Sequence, residues 1–151
     1  MLSKLTNFFL QPAIENYRNK DEFHVRYDAN GEIAVGLCIG KGSDHSLVCI
    51  SSADLRNTRP VHSDLAEHFR DYVVKSSWKL CEHFQKGGNW RNFTVRSNWK
   101  NDLMAIVTIH PQNLEPQEIQ EEMERMKEHL VSRADGNLKS LYYQSWYNKR
   151  K

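Results

Sequence analysis

Basic side chains alternate with other residues in one short stretch near the start of the chain, residues 17–26, which reads YRNKDEFHVR. An extended strand alternates its side chains between two faces, so it would place on one face, beside the acid Glu22, the cations Arg18, Lys20, His24 and Arg26. The other face would carry the core anchors Phe23, Val25 and Tyr27. A row of cations on a rigid strand could follow the phosphates of a nucleic acid. The same pattern also fits a solvated strand face with ordinary surface charges.

The composition is that of a globular protein with one domain. The chain has 151 residues, of which 39% are hydrophobic and 26% charged, and this length is enough to bury a core. The formal net charge of +2 excludes a binder whose whole surface is basic, so nucleic-acid contact would depend on local clustering. No apolar run approaches membrane-spanning length and the first ten residues do not resemble a secretory signal. We therefore expect an intracellular monomer with no membrane partner.

Cysteines and histidines are not spaced for metal or redox chemistry. Cys38, Cys49 and Cys81 are odd in number and form no zinc or redox motif, so reduced, buried thiols are expected. His62 and His68 are too far apart in sequence to share one helix face as ligands, and no metal site is expected. A hydrolase is not indicated either, because no cysteine has a neighbouring cation to lower its pKa and no nucleophile motif is present.

Periodicity and turn signals predict the elements that would position these residues. Strands are predicted over residues 17–27, 32–40, 47–50, 90–97, 103–110 and 138–147. One helix is predicted from an N-cap at Ser63 to about Lys75, with a stripe formed by Leu65, Phe69, Tyr72 and Val73. A second helix is predicted after Pro116, with its acidic run 121–124 facing solvent and an apolar stripe formed by Ile119, Met123, Met126 and Leu130.

From residue 47 onward the order is strand, helix, strand, strand, helix, strand, which matches the ferredoxin-like split βαβ arrangement. We therefore predict an α+β fold: an antiparallel sheet with two helices on one face, extended by an N-terminal hairpin. The domain would span residues 17–147, with a lead-in segment at 1–16 and a basic tail or truncated linker at 148–151. The face of the sheet without helices is where function is expected.

Four segments, in matching order and spacing, resemble the uracil-5 RNA methyltransferases. Residues 17–23 (YRNKDEF) are similar to the motif that opens the central domain of these enzymes. Residues 87–96 (GGNWRNFTVR) and 104–112 (MAIVTIHPQ) resemble the two strands that follow in eukaryotic members, and 141–144 (LYYQ) the strand that closes the domain. The resemblance covers residues 11–144 and is to the eukaryotic homologues of the TrmA family, which methylate a uridine in the T-loop of tRNA.

The resemblance implies a domain that holds the T-arm of tRNA and presents its loop to a methyltransferase domain of the same polypeptide. In the family that second domain binds S-adenosylmethionine and supplies a cysteine nucleophile and a glutamate base. Here no glycine-rich turn joins a strand to a helix, as a nucleotide-like cofactor would need, and no cysteine has the setting of the nucleophile. We therefore expect no catalytic residue and no cofactor site in this chain, which looks like a piece of a longer enzyme that uses S-adenosylmethionine.

The resemblance also implies which residues contact RNA. His110 matches a family histidine that stacks on unpaired bases, and His24 stands where bacterial relatives have an RNA-contacting arginine, a role that Arg26 could take. Trp90 lies beside guanidinium groups, a combination suited to base stacking and phosphate contact. The full expected set is Arg18, Lys20, His24, Arg26, Trp90, Arg91, Arg96 and His110.

Each of these assignments has a structural alternative. His110 could cap its strand beside Pro111, and Trp90 could plug the edge of the sheet. The alternative function is a protein-protein interaction module that uses the open sheet face. It would be favoured if Trp90, Tyr143 and Trp146 formed one apolar patch without cations around it.

Overall fold

Six strands and two helices form the part of the chain that the computed structural model describes, residues 13–40, 47–53, 55–83 and 86–147. The strands are β1 (Lys20–Tyr27), β2 (Ile33–Ile39), β3 (Val48–Ile50), β4 (Trp90–Ser97), β5 (Leu103–Ile109) and β6 (Leu138–Ser145). The helices are α1 (Pro60–Lys75) and α2 (Pro116–Val131). Every predicted strand and helix is present, and most ends agree within a few residues. The segments at 1–12 and 148–151, predicted as most of the lead-in and as the tail, lie outside the described residues.

The strands form one sheet in the order β3-β2-β1-β4-β5-β6, and the α+β class is confirmed. The sheet differs from the prediction in two details. It is mixed, because α2 returns the chain so that β6 runs parallel to β5, whereas the other neighbours are antiparallel. The hairpin of β1 and β2 lies inside the sheet, between β3 and β4, because α1 carries the chain from the β3 edge back to the middle. The ferredoxin-like arrangement is therefore not confirmed.

Both helices pack on one face of the sheet and form the core with it. Phe69 of α1 stacks on Phe93 of β4, with ring centroids 4.3 Å apart. Met126 and Leu130 of α2 belong to the same buried cluster. Complete burial of one such side chain contributes about 1.5–3 kcal/mol. The predicted apolar stripes of both helices are confirmed, and neither helix is long and apolar enough to cross a membrane.

Two predicted details of the helices are wrong. Arg59, not Ser63, is the N-cap of α1, because Pro60 needs no partner for a backbone N–H and starts the helix earlier. Ser63 is buried in the first turn, where its hydroxyl lies 2.9 Å from that of Ser52. In the acidic run of α2, Glu122 does not face solvent: it is 3% exposed and accepts hydrogen bonds from Ser76 and Arg125, both at 2.6 Å.

Two glycines permit backbones to approach more closely than a side chain would allow. A Cβ atom on Gly36 would lie 1.9 Å from the carbonyl oxygen of Ile50, where β2 meets β3. A Cβ atom on Gly88 would lie 2.0 Å from the carbonyl oxygen of Leu80, and its φ of +99° also favours glycine. This second contact brings the chain beside the first residue of β4, where Leu80 bridges to Trp90. Gly88 thus helps set where β4 begins.

Candidate nucleic-acid interface

Alternate residues of β1, β4, β5 and β6 form the face of the sheet opposite the helices. The strand register places them in rows, such as His24 beside Asn92 and Asn92 beside Thr108. Gln144 of β6 continues that row and donates a hydrogen bond to the Thr108 hydroxyl at 2.8 Å. We call this surface the open face; it comprises Lys20, Glu22, His24, Arg26, Asn92, Thr94, Arg96, Met104, Ile106, Thr108, Ser140, Tyr142 and Gln144.

The open face carries cations near both of its ends. Lys20 and Arg96 lie opposite each other in the register of β1 and β4 at one end. Arg26 lies at the other end, where its guanidinium donates to the carbonyl oxygen of Glu82 at 3.2 Å. Lys20 and Arg26 are six positions apart along the strand, which corresponds to about 20 Å. The burial pattern of β1 therefore agrees with the predicted placement of Lys20, His24 and Arg26 on one face of the strand.

The charge of this surface comes mainly from its arginines. Burial lowers the pKa of His24 below its usual value, and the nearby Arg26 and Arg91 lower it further, so the imidazole is neutral at neutral pH. A hydrogen bond from Lys20 lowers the pKa of Glu22, which therefore stays ionised and offsets part of the lysine charge. His24 can donate or accept a hydrogen bond, but it does not add a positive charge.

Arg18 does not belong to the open face, contrary to the prediction. The strand begins only at Lys20, so the alternation does not extend back to Arg18. Its guanidinium instead lies 3.2 Å from Asp21, whose side chain is fully buried on the helix-covered side. Arg18, whose side chain is 40% exposed, therefore lies at the edge of a buried network and does not join the row of cations on the open face.

This network was not predicted from the sequence. His62 of α1 donates from Nδ1 to Asp21 at 2.7 Å, and its Nε2 lies 2.7 Å from the hydroxyl of Ser97. Arg59 donates to the same hydroxyl at 3.1 Å. Burial lowers the pKa of His62, so the ring is neutral. The order of groups is that of an Asp-His-Ser triad, but the Asp21 and His62 side chains are both 0% exposed, so the network holds β1, α1 and β4 together instead of meeting a substrate.

Trp90 is buried on the helix side of the sheet and is not exposed for the base stacking that the sequence predicted. The register between β4 and β5 shifts between Trp90 and Asn92, so one extra residue is inserted. The shift turns the Trp90 side chain to the helix side, where it is 0% exposed and meets the rings of Phe69 and Tyr72 edge-on. Arg91, the residue within the shift, lies with its guanidinium carbon 3.8 Å from the ring centroid of Trp146.

His110 lies at the end of β5 but is only 9% exposed. Its Nδ1 donates a hydrogen bond to the carbonyl oxygen of Trp146 at 3.0 Å. Its backbone N–H donates to the carbonyl oxygen of Asn89 at 2.7 Å. The structure therefore shows His110 holding neighbouring chain segments together. This role is close to the structural alternative in which His110 caps its strand. Four exposed rings that are not in the expected set lie on β6 and just beyond it: Tyr142, Tyr143, Trp146 and Tyr147. Of these, Trp146 accepts the hydrogen bond from His110.

The amino-acid sequence of the chain is similar to that of known proteins. Over 137 residues it is 38% identical to a tRNA (uracil-5-)-methyltransferase homolog B from Pongo abelii and 37% identical to its Homo sapiens counterpart, each match covering 88% of the chain. The chain is therefore homologous to one part of the tRNA (uracil-5-)-methyltransferase homologues. No family model matches it. It spans only 28% and 27% of the length of these two relatives.

A solved structure of a tRNA (uracil-5-)-methyltransferase shares the fold. It is the Pyrococcus abyssi tRNA (uracil-54, C5)-methyltransferase in complex with S-adenosyl-L-homocysteine. The similarity covers 93% of the present chain and 29% of the Pyrococcus abyssi chain, with a TM-score of 0.57 and 11% identity. At this identity the similarity supports the fold of the methyltransferase homologue and not a transfer of individual residues.

The described residues of the chain do not fit a nucleotide-like cofactor. The two connections from a strand to a helix, residues 51–59 and 110–115, contain no glycine that would allow a backbone to approach a bound nucleotide. The three free thiols are poor nucleophiles, because burial raises the pKa of Cys38, Cys49 and Cys81, that of Cys49 to about 12. In the part of the chain that the structure describes, no His, Cys, Asp and Glu side chains are grouped to hold a metal ion.

Proposed function

We propose that this chain is the RNA-docking domain of an S-adenosylmethionine-dependent tRNA (uracil-5-)-methyltransferase. The open face holds the T-arm of a tRNA, while a methyltransferase domain of the same polypeptide modifies a uridine in the loop. The observation that carries the proposal is the placement of Lys20, Arg26 and Arg96 on one sheet face that neither of the two described helices covers, with Arg91 at its end beside an exposed ring.

The distribution of charge favours the sheet over the helices as the RNA-binding side. The outer surface of α2 carries four exposed glutamates against two exposed bases, Arg125 and Lys127, so its net negative charge would repel phosphates. On the open face, Glu22 is the acidic residue, and it is paired with Lys20. RNA would therefore approach the sheet side, although the net charge of the whole chain is small.

Polar groups between the two cationic ends extend the surface. Asn92 and Thr94 of β4 lie between Arg96 and the Arg26 end and can donate hydrogen bonds to sugar or phosphate oxygens. Contacts of this kind fix the register of a protein on RNA but read little sequence. The open face is thus suited to holding a folded arm, and the choice of uridine falls to another part of the enzyme.

We expect binding of the chain to a T-arm hairpin RNA to weaken steeply with salt. With about three or four phosphate contacts, raising the salt from about 50 to about 200 mM should lower the affinity roughly 20- to 150-fold, because counterions are released on binding. A filter-binding titration at several salt concentrations measures this slope. Absent binding, or an affinity that does not change with salt, would contradict the proposal.

The described part of the chain does not contain the cation-free apolar patch of Trp90, Tyr143 and Trp146 that would have favoured a protein-interaction module. Trp90 is buried, and Arg91 lies over the ring of Trp146, so these rings do not form an apolar surface without cations.

A further inference from the structure

Trp146 presents an indole ring that the sheet holds in place. Its backbone N–H donates to the carbonyl oxygen of Ile109 at 2.8 Å, and its own carbonyl accepts the hydrogen bond from His110 at 3.0 Å. The guanidinium of Arg91 lies over the ring at 3.8 Å from its centroid. The residue is nevertheless 45% exposed. A ring fixed in this way loses little conformational freedom when a planar group stacks on it.

Tyr142 offers a second ring on the same side of β6. It pairs with Ile106 of the open face and is 57% exposed. Trp146 lies four positions further along the chain, just past the end of β6, which corresponds to about 13 Å if the chain stays extended. The rings are thus far enough apart to contact different nucleotides.

We infer that Trp146 and Tyr142 stack on unpaired RNA bases, and that His110 and Arg91 are positioning residues that hold Trp146 for this contact. The inference rests on the proposed function and adds to it the kind of nucleotide that this end of the domain binds. His110, which was expected to stack on bases itself, is nearly buried and is bonded to the Trp146 backbone.

The surroundings of Trp146 fit RNA bases with their phosphates. The Arg91 guanidinium lies on the ring. Arg91 and Arg26 are both close enough to His24 to add to the lowering of its pKa by burial. Stacking on an aromatic ring tolerates any base, whereas the nearby guanidinium groups attract the phosphates. Bases in an RNA duplex are covered by their neighbours, so only unpaired nucleotides expose the faces that such rings can stack on.

A comparison of two RNA probes tests the inference. One probe is a hairpin with an unpaired loop, and the other is a blunt duplex with the same stem sequence. We expect Trp146→Ala to weaken binding of the hairpin roughly 5- to 150-fold and to leave binding of the duplex unchanged, because only the stacked base is lost. Trp146→Phe, which keeps a ring, should retain most of the hairpin affinity. Trp99→Ala, at an 82% exposed tryptophan in the turn between β4 and β5, is the matched control and should change neither.

The preference for hairpin over duplex also tests the role of His110. If His110 acts through Trp146, His110→Ala should reduce this preference in the wild-type background and have no further effect in the Trp146→Ala background. A purely structural role would weaken binding of both probes equally.

The possible outcomes separate the inference from the proposed function. Hairpin binding that survives Trp146→Ala unchanged overturns the inference but leaves the docking role intact. A wild-type chain that binds neither probe overturns both.

Discussion

Replacing Asp21 with alanine is expected to lower the free energy of unfolding by about 1–3 kcal/mol, the cost of leaving buried hydrogen-bond donors without their acceptor. The Asp21 carboxylate is 0% exposed and accepts hydrogen bonds from His62 at 2.7 Å and Thr58 at 3.5 Å, with Arg18 at 3.2 Å. Without it, the Nδ1 donor of His62 would be left buried and unsatisfied between α1 and β1. Chemical denaturation followed by circular dichroism measures the change.

The neighbouring carboxylate provides the control for Asp21. Glu22 lies next along the same strand, but its side chain is 59% exposed and pairs with Lys20 at the surface. Glu22→Ala should change the stability by no more than about 0.5 kcal/mol. Equal losses for the two variants would show that the buried network does not hold the domain together.

Trp90→Ala is expected to destabilise the domain by about 3–5 kcal/mol through loss of a large buried side chain. The indole is 0% exposed, its centroid lies 5.0 Å from that of Trp78 and 5.6 Å from that of Phe69, and its Nε1 donates to the Ser76 hydroxyl at 3.2 Å. Thermal or chemical denaturation measures the loss, with Trp99→Ala as a control that should change stability by less than about 0.5 kcal/mol.

The same variant distinguishes the core role of Trp90 from the RNA-contacting role that the sequence predicted. Under conditions in which Trp90→Ala remains folded, its affinity for hairpin RNA should stay within about twofold of the wild type. A variant of unchanged stability that loses RNA affinity would restore Trp90 to the interface and contradict its placement in the core.

The alternation of side chains in β1 correctly predicted the open face, because the strand is regular from Lys20 onward. Lys20, Arg26 and the core residue Phe23 all lie where a period of two places them. The rule failed for Arg18, which precedes the strand. It failed for Trp90 as well, because the register shift at Arg91 reverses the two faces, and one sequence gives no signal for such a shift.

The sequence contained two signals of the buried Asp21–His62 network that the prediction did not use. Asp21 shares the core parity of Phe23 and Val25, and a carboxylate at a core position requires a buried partner. His62 falls at helical spacing with Leu65 and Phe69, on the apolar face of α1. Which of the seven histidines in the chain meets Asp21 depends on how α1 crosses the sheet, and the sequence pattern does not specify this crossing.

The position of the hairpin within the sheet was not predictable for a similar reason. The chain order alone is compatible with β1 and β2 at an edge or between β3 and β4, since α1 can carry the chain back across the sheet to either place. His110 was likewise placed correctly at a strand end, but its contact with Trp146 depends on the parallel pairing of β6 with β5, which the predicted antiparallel sheet did not contain.

A matched pair of charge reversals tests most directly whether the open face binds RNA. Arg96 is exposed on the open face, and Lys127 is exposed on α2, where it pairs with Glu124 at 2.9 Å. Arg96→Glu should weaken binding of the hairpin RNA by about tenfold or more and reduce the salt slope by about one, because a phosphate contact becomes a repulsion. Lys127→Glu, with the same change in net charge, should leave both unchanged. Equal losses for the two variants, or a larger loss for Lys127→Glu, would contradict an RNA interface on the sheet.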